Sequence, residues 1–108
     1  MSRRVRKNYH HLRVLSTSKP HQVKVFLKVA DDDLIKSVCE CVYNVLKSTV
    51  PITPRQKRRL LKFKQPLLSL VDRDLPLTKK RKILTQKGGS FLSFLLPTVL
   101  GVLEHLIK

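Results

Sequence analysis

Two runs of arginine and lysine are the side chains of this sequence best suited to chemistry, and that chemistry is the binding of anions. The first run lies between residues 55 and 64, and the second between residues 79 and 82. Such cations neutralise phosphates and release condensed counterions, whereas base readout also draws on amide side chains, which are sparse here. The cations that we predict to contact phosphate are Arg55, Lys57, Arg58, Arg59, Lys62, Lys64, Lys79, Lys80, Arg81 and Lys82.

The residue types that usually carry catalysis or metal binding are few and scattered. Histidines are spread from His10 to His105, and Cys39 and Cys41 lie two positions apart in a helical pattern, which points them to different faces. No spacing matches a metal site or an activated nucleophile. We therefore expect a non-enzymatic protein without metal or cofactor, whose cysteines are core thiols in a reducing compartment.

The distribution of charge indicates the class of partner. The chain of 108 residues carries a net charge of +16, with +6 in residues 1–19, +10 in residues 53–89, and no net charge elsewhere. Because self-repulsion of this size destabilises a compact fold, we expect a counter-charged partner: nucleic acid, an anionic membrane or an acidic protein. Residues 1–17 are predicted to be a flexible basic arm, whose further phosphate contacts would be Arg3, Arg4, Arg6 and Lys7.

Apolar spacing predicts an all-α fold. Residues 34–49 repeat apolar side chains at helical intervals, and Asp31–Asp33 provide a cap and negative charge at the helix start. Thr53-Pro54 is predicted to begin another helix, which Pro66 would kink or break. We predict a small bundle of about four to five short helices, with residues 18–87 forming a helical basic domain.

The C-terminal segment is nearly free of charge. Thr78 is predicted to cap a helix that Gly88-Gly89 ends, so that residues 88–108 form a hinge and an apolar helix. That helix could insert shallowly into a membrane, or it could pack on residues 34–46 as the missing half of the core. The residues that would insert are Phe91, Leu92, Phe94, Leu95, Leu96, Val99 and Leu100. An exposed glycine joint would also be a site of proteolytic cleavage.

The order of features between residues 79 and 103 resembles a known pattern. A basic cluster is followed by Gly88-Gly89, then by Ser90-Phe91-Leu92 and an apolar run containing Pro97 and Gly101. This order is similar to the end of the adenovirus mu core-protein precursor. Roughly residues 18–103 also resemble small proteins of Polinton/Maverick-type (adintovirus-like) elements, which share the Thr-Pro basic helix and the apolar end.

These resemblances imply a virion core or minor capsid protein whose basic part condenses DNA. They also imply cleavage near Gly88 and Gly89 by an adenain-like cysteine protease, although the aliphatic residue that this protease family prefers two places earlier is Gln86 here. We therefore expect a DNA-binding protein without sequence preference, located in the nucleus or the virion and not secreted, with capsid proteins among its partners. The alternatives are a membrane-active minor capsid protein and an adaptor that binds an acidic protein.

Overall fold

Every regular element of the computed structural model is an α-helix over the residues that it describes, namely 2–47 and 50–107, with side chains described as far as Glu104. The all-α prediction is confirmed, but the described chain contains seven helices rather than about four to five. In chain order they are α1 (Arg3–Lys7), α2 (Tyr9–Thr17), α3 (Pro20–Val29), α4 (Asp32–Leu46), α5 (Pro54–Leu61), α6 (Lys64–Leu70) and α7 (Leu77–Ile107).

The last helix, α7, is the centre of the packing. It makes its most extensive contacts with α3 and α2, and it also packs against α4 and α6. Its buried side chains meet those of the other helices in one continuous apolar core, in which removal of apolar surface from water is the main stabilising contribution. The α7 side chains buried there are Leu84, Phe91, Leu92, Leu95, Leu96, Val99, Leu100 and Leu103.

The amphipathic helix predicted from residues 34–49 is α4. The Asp31 carboxylate accepts a hydrogen bond from the Leu34 amide at 2.8 Å, and Asp32 and Asp33 occupy the first turn, where the helix dipole favours negative charge. The predicted cap is therefore confirmed. One face of α4 enters the core, as its apolar spacing indicates: Leu34, Ile35, Val38, Cys41, Val42 and Val45.

The prediction of a flexible arm over residues 1–17 is wrong for residues 3–17, which form α1 and α2 joined by a turn at Asn8; Met1 lies outside the described residues. Val5, Leu12 and Leu15 are fully buried. Leu12 and Leu15 are three residues apart on one face of α2, and together with Val5 of α1 they pack in the core. The interleaved arginines conceal this stripe in the sequence.

The glycine pair does not end a helix. Residues 88 and 89 lie inside α7, which is continuous from Leu77 to Ile107; Lys108 lies outside the described residues. A Cβ atom on Gly89 would lie 2.8 Å from the Pro20 Cβ and 2.9 Å from the Pro20 Cα, so glycine lets the start of α3 approach α7 closely. The pair is therefore a point of helix–helix contact. The predicted start at Thr78 is also wrong, since Thr78 lies inside α7.

The helix that begins at Pro54 ends at Leu61, and α6 begins at Lys64, two residues before Pro66. Proline has no amide hydrogen and its ring collides with the carbonyl four residues earlier, so α5 cannot continue through it. Pro66 instead occupies the first turn of α6, where its missing hydrogen bond has no cost. The predicted break is confirmed.

Candidate nucleic-acid interface

The cations predicted to contact phosphate fall into three groups in the structure. The N-terminal group is partly neutralised within the protein. Arg4 forms ion pairs with Asp33 at 3.1 Å and Glu40 at 2.8 Å, and Lys7 lies 3.5 Å from Asp33. Arg3 and Arg6 are exposed, and no described residue forms an ion pair with either. Arg4 thus joins α1 to α4, and only Arg3 and Arg6 of this group face solvent unpaired.

The same acidic residue anchors a polar cluster between α1 and α4. Asn8 donates through Nδ2 to an Asp33 carboxylate oxygen and to the Ser37 hydroxyl, both at 2.8 Å. The hydrogen bond from Asn8 and the charge of Arg4 and Lys7 lower the pKa of the Asp33 carboxyl below its ordinary value. A lowered pKa means that folding favours the ionised carboxylate.

We expect acid to destabilise the protein partly through Asp33. Its contribution is fully present above the unfolded-state pKa of about 4 and is lost as pH falls through the lower folded-state value. Asp33→Asn should therefore lower stability at neutral pH and flatten the loss of stability below about pH 4. Urea unfolding followed by circular dichroism across this range measures both effects. Asp74→Asn, at an exposed carboxylate, is the control, and parallel pH profiles for the two variants would contradict the assignment.

The second group, at the start of α7, contains one arginine that the fold itself uses. Arg81 is half-buried and donates through Nη1 to the backbone carbonyls of Leu27 and Ala30, and through Nη2 to Asp32 at 2.8 Å. These carbonyls belong to the end of α3, which lacks intrahelical donors there. Arg81 therefore caps α3 rather than standing free for phosphate. Lys79 and Lys82 are exposed, and Lys80 is half-buried.

The third group lies on α5, and the helix sorts it into two opposite sides. At about 100° per residue, four cations fall within an arc of about 100°, centred opposite to Lys57 and the buried Leu60. All four are exposed, and none forms an ion pair with a described residue. We call this set the cationic face of α5: Arg55, Arg58, Arg59 and Lys62.

Contacts with α7 hold the cationic face in place. Gln56 Nε2 donates to the Thr98 hydroxyl at 3.1 Å, the Arg59 guanidinium lies 4.2 Å from the Phe94 ring centroid, and the Phe63 and Phe91 rings are 5.6 Å apart. The order of these contacts shows that α5 runs antiparallel to this part of α7. The start of α5 is capped as predicted, since the backbone N–H of Gln56 donates to the Thr53 hydroxyl. A short, capped helix thereby contacts α7 with its cations outward.

Lys57 and Lys64, also predicted as phosphate contacts, lie on the other side of α5. Both are exposed and line an apolar groove formed by the end of α4, α5 and α6. They are therefore separated from the cationic face by the body of the helix.

The residues predicted to insert into a membrane are part of the core. Phe91, Leu92, Leu95, Leu96, Val99 and Leu100 are buried, and Phe94 is half-buried under Arg59. The sequence left open whether this segment inserts into a membrane or packs on residues 34–46. In the structure it packs on the rest of the chain, and α4 is among its neighbours. Within the described residues, no helix combines the length and the apolar character needed to cross a membrane.

The predicted processing site also lies in packed structure. Gly88 is buried and Gly89 is half-buried, and both sit within a helix. Proteases favour exposed, irregular segments, so cleavage at this pair would need local unfolding of α7.

The Cys41 thiol is buried and the Cys39 thiol is half-buried. Burial raises the pKa of Cys39 to about 11 and that of Cys41 to about 12, which keeps both protonated at neutral pH. A protonated thiol is a poor nucleophile and a poor metal ligand. Across the described residues, no three histidine, cysteine or acidic side chains are grouped closely enough to hold a metal ion.

The polar residues that hold the N-terminal helices in place were not among the functional residues predicted from the sequence. Asn8, Asp33 and Glu40 accept or donate the hydrogen bonds that fix α1, and Glu104 forms an ion pair with Arg13 at 3.1 Å to join α7 to α2. For Asp33 and Glu40 the signal was the concentration of acidic residues in the neutral segment between two basic blocks, whereas Asn8 and Glu104 lie outside that segment.

Comparison of the chain with protein-family models, with curated proteins and with solved structures gave no match.

Proposed function

We propose that this protein is a non-enzymatic nucleic-acid-binding protein whose principal contact surface is the cationic face of α5. The observation that carries the proposal is the clustering of Arg55, Arg58, Arg59 and Lys62 on one solvent-facing side of a capped helix, without an acidic partner among the described residues. Four unpaired cations this close repel one another, and a phosphate backbone relieves that repulsion.

The helix that carries this surface is already formed and capped, which favours binding. Arg59 lies over the Phe94 ring and Gln56 donates to Thr98, so α5 already has its orientation on α7 before a ligand arrives. The side chains on the face are arginine and lysine, which suit phosphate contact, and amides able to read base edges are absent from it. Binding should therefore be insensitive to base sequence. Arg3 and Arg6 on α1, and Lys79 and Lys82 on α7, would add peripheral contacts.

The resemblance to virus-like elements extends this proposal to a cellular setting. It supports double-stranded DNA as the ligand, condensation as the consequence, and the nucleus or the virion as the location. Comparing affinities for duplex DNA, duplex RNA and single-stranded RNA at one salt concentration tests the choice of ligand. Tighter binding to either RNA than to DNA would contradict the DNA assignment while leaving the phosphate-binding surface in place.

The salt dependence of binding tests the proposed surface. With four phosphate contacts, the logarithm of the affinity for duplex DNA should fall against the logarithm of salt concentration with a slope of about −3.6, or about two orders of magnitude between about 50 and 200 mM. Arg55→Gln combined with Arg58→Gln should make the slope shallower by about 1.8. Fluorescence anisotropy with a labelled duplex of mixed sequence measures this, and Arg59 is left intact because it contacts Phe94.

A variant with the same net charge controls for the general field of the protein. Lys24→Gln combined with Lys28→Gln removes two exposed cations from α3 and should change the slope far less. Equal slopes for the two double variants would show that the cationic face is not the contact surface. A flat salt response of the unaltered protein would overturn phosphate binding altogether.

A further inference from the structure

An apolar groove lies on the side of α5 opposite to the cationic face. It is formed by the end of α4, the segment before α5, and the two helices α5 and α6, and it has a volume of about 460 Å³. That volume is within the range of pockets that hold ligands in proteins. We call it the α5–α6 groove, and seven of its nine lining residues are apolar.

The apolar floor of this groove is open to solvent. Leu46, Leu61 and Leu68 expose 41, 58 and 45 % of their surfaces, although the other leucines whose side chains the structure describes are buried or half-buried. Scattered exposed leucines need no explanation, but three that line one concave surface make a contiguous apolar patch. No described residue covers it.

The charge at the groove favours an acidic ligand. Lys57 and Lys64 line the groove on α5 and α6, and no carboxylate is among its lining residues. A second copy of this chain would bring another net charge of +16, which opposes self-association through a lysine-bearing surface. The apolar half of α7, which could otherwise have filled the groove, is already packed in the core.

We propose that the α5–α6 groove binds an amphipathic, acidic helix of a partner protein, with leucine-like side chains on the apolar floor and carboxylates on Lys57 and Lys64. A helix fits because the groove is an open cleft between helices, and apolar side chains at positions i, i+4 and i+7 form a stripe that can lie along it. Acidic side chains flanking that stripe supply the counter-charge.

This inference does not rest on nucleic-acid binding. The groove and the cationic face lie on opposite sides of α5, so an acidic partner helix and a phosphate backbone can be held at the same time. The protein would then join a nucleic acid to an acidic protein through a single helix. Acidic helices would also be kept from the cationic face whenever nucleic acid occupies it.

A charge-swap experiment tests the groove. The probe is a labelled helical peptide of about 15 residues with leucines at i, i+4 and i+7 and glutamates beside them; a second peptide carries lysines in place of the glutamates. The full chain, freed of nucleic acid by nuclease and high salt, should bind the glutamate peptide tightly. Lys57→Glu combined with Lys64→Glu should weaken that binding by about 10-fold or more and strengthen binding of the lysine peptide.

Two matched variants separate the groove from general charge and general exposure. Lys24→Glu combined with Lys28→Glu makes the same change in net charge on α3 and should leave the preference between peptides nearly unchanged. Leu61→Ser combined with Leu68→Ser should weaken binding of the glutamate peptide, whereas Val25→Ser combined with Val29→Ser, at exposed residues of α3, should not. Thermal unfolding of each variant confirms that the fold persists.

Three results would overturn the proposal. The first is equal loss of peptide binding in the groove and α3 charge variants. The second is self-association of the chain in sedimentation that Leu61→Ser with Leu68→Ser abolishes, which would assign the groove to a second copy. The third is displacement of the peptide by vesicles of anionic phospholipid, together with loss of vesicle binding in the variant Leu61→Ser with Leu68→Ser, which would assign the groove to lipid. Arg55→Gln with Arg58→Gln should retain peptide binding, so failure of the DNA proposal would be seen separately.

Discussion

Phe91→Ala is expected to lower the free energy of unfolding by about 3–5 kcal/mol. The Phe91 side chain is fully buried on α7 and its ring centroid lies 5.6 Å from that of Phe63. Truncation removes a large apolar surface and leaves a cavity between α7 and the α5–α6 connection, which neighbouring helices can close only in part. Urea unfolding followed by circular dichroism measures the change, provided that the variant remains folded without denaturant.

Phe94→Ala is the matched control, three residues later on the same helix. Phe94 is half-buried beneath Arg59, so its truncation should cost markedly less than that of Phe91. The pair also distinguishes the two interpretations of the C-terminal segment. If both variants unfolded at the same urea concentration as the unaltered protein, residues 91–100 would not be core, and the expectation of a free, membrane-inserting helix would regain support.

The second large effect is expected at the glycine pair. Gly89→Ala should destabilise the protein by about 2 kcal/mol, because overpacking a tight contact costs more than the helix propensity of alanine returns. The new Cβ would lie 2.9 Å from the Pro20 Cα and 3.1 Å from the Pro20 carbonyl oxygen. Those are backbone atoms, which cannot rotate away as a side chain can, so α3 must shift on α7. Thermal unfolding monitored by circular dichroism provides the measurement.

Gly101→Ala on the same helix makes the same chemical change in open space. Apart from the backbone of α7 itself and the adjacent residues, no atom of the described residues lies within 4 Å of a Cβ built on Gly101, so the gain in helix propensity dominates and stability should rise by about 0.5–1 kcal/mol. A stabilising effect at both positions would show that Gly89 and Pro20 are not in close contact, and would restore a flexible joint at residues 88 and 89.

Local signals in the sequence predicted the elements whose caps and periodicity agree. Asp31 before α4 and Thr53-Pro54 before α5 each combine a capping side chain with a favourable first turn, and both helices begin there. The sequence could not indicate which helices pack together. That α7 is the centre depends on contacts between residues far apart in the chain, such as Tyr9 with Glu104, which no periodicity encodes.

The errors concern residues whose role is set by tertiary contacts. Gly88-Gly89 has the composition of a helix end, but the approach of Pro20 gives Gly89 a packing role instead. Arg81 belongs to a run of four basic residues, yet it donates hydrogen bonds to backbone carbonyls at the end of α3 and therefore has a structural role. All four residues of the cationic face were among the cations named from the sequence, but the division of α5 into a cationic face and a groove needed the positions of α6 and α7.

The central position of α7 has a consequence for how the protein is made. During synthesis the chain leaves the ribosome from its N-terminal end, so α1 to α6 emerge before the helix against which four of the others pack is available. Until then, their apolar faces stay exposed beside most of the positive charge, in a ribosomal environment rich in RNA. Completion of the fold must therefore wait for the last third of the chain, and the nascent protein meets polyanions before it has its native surface.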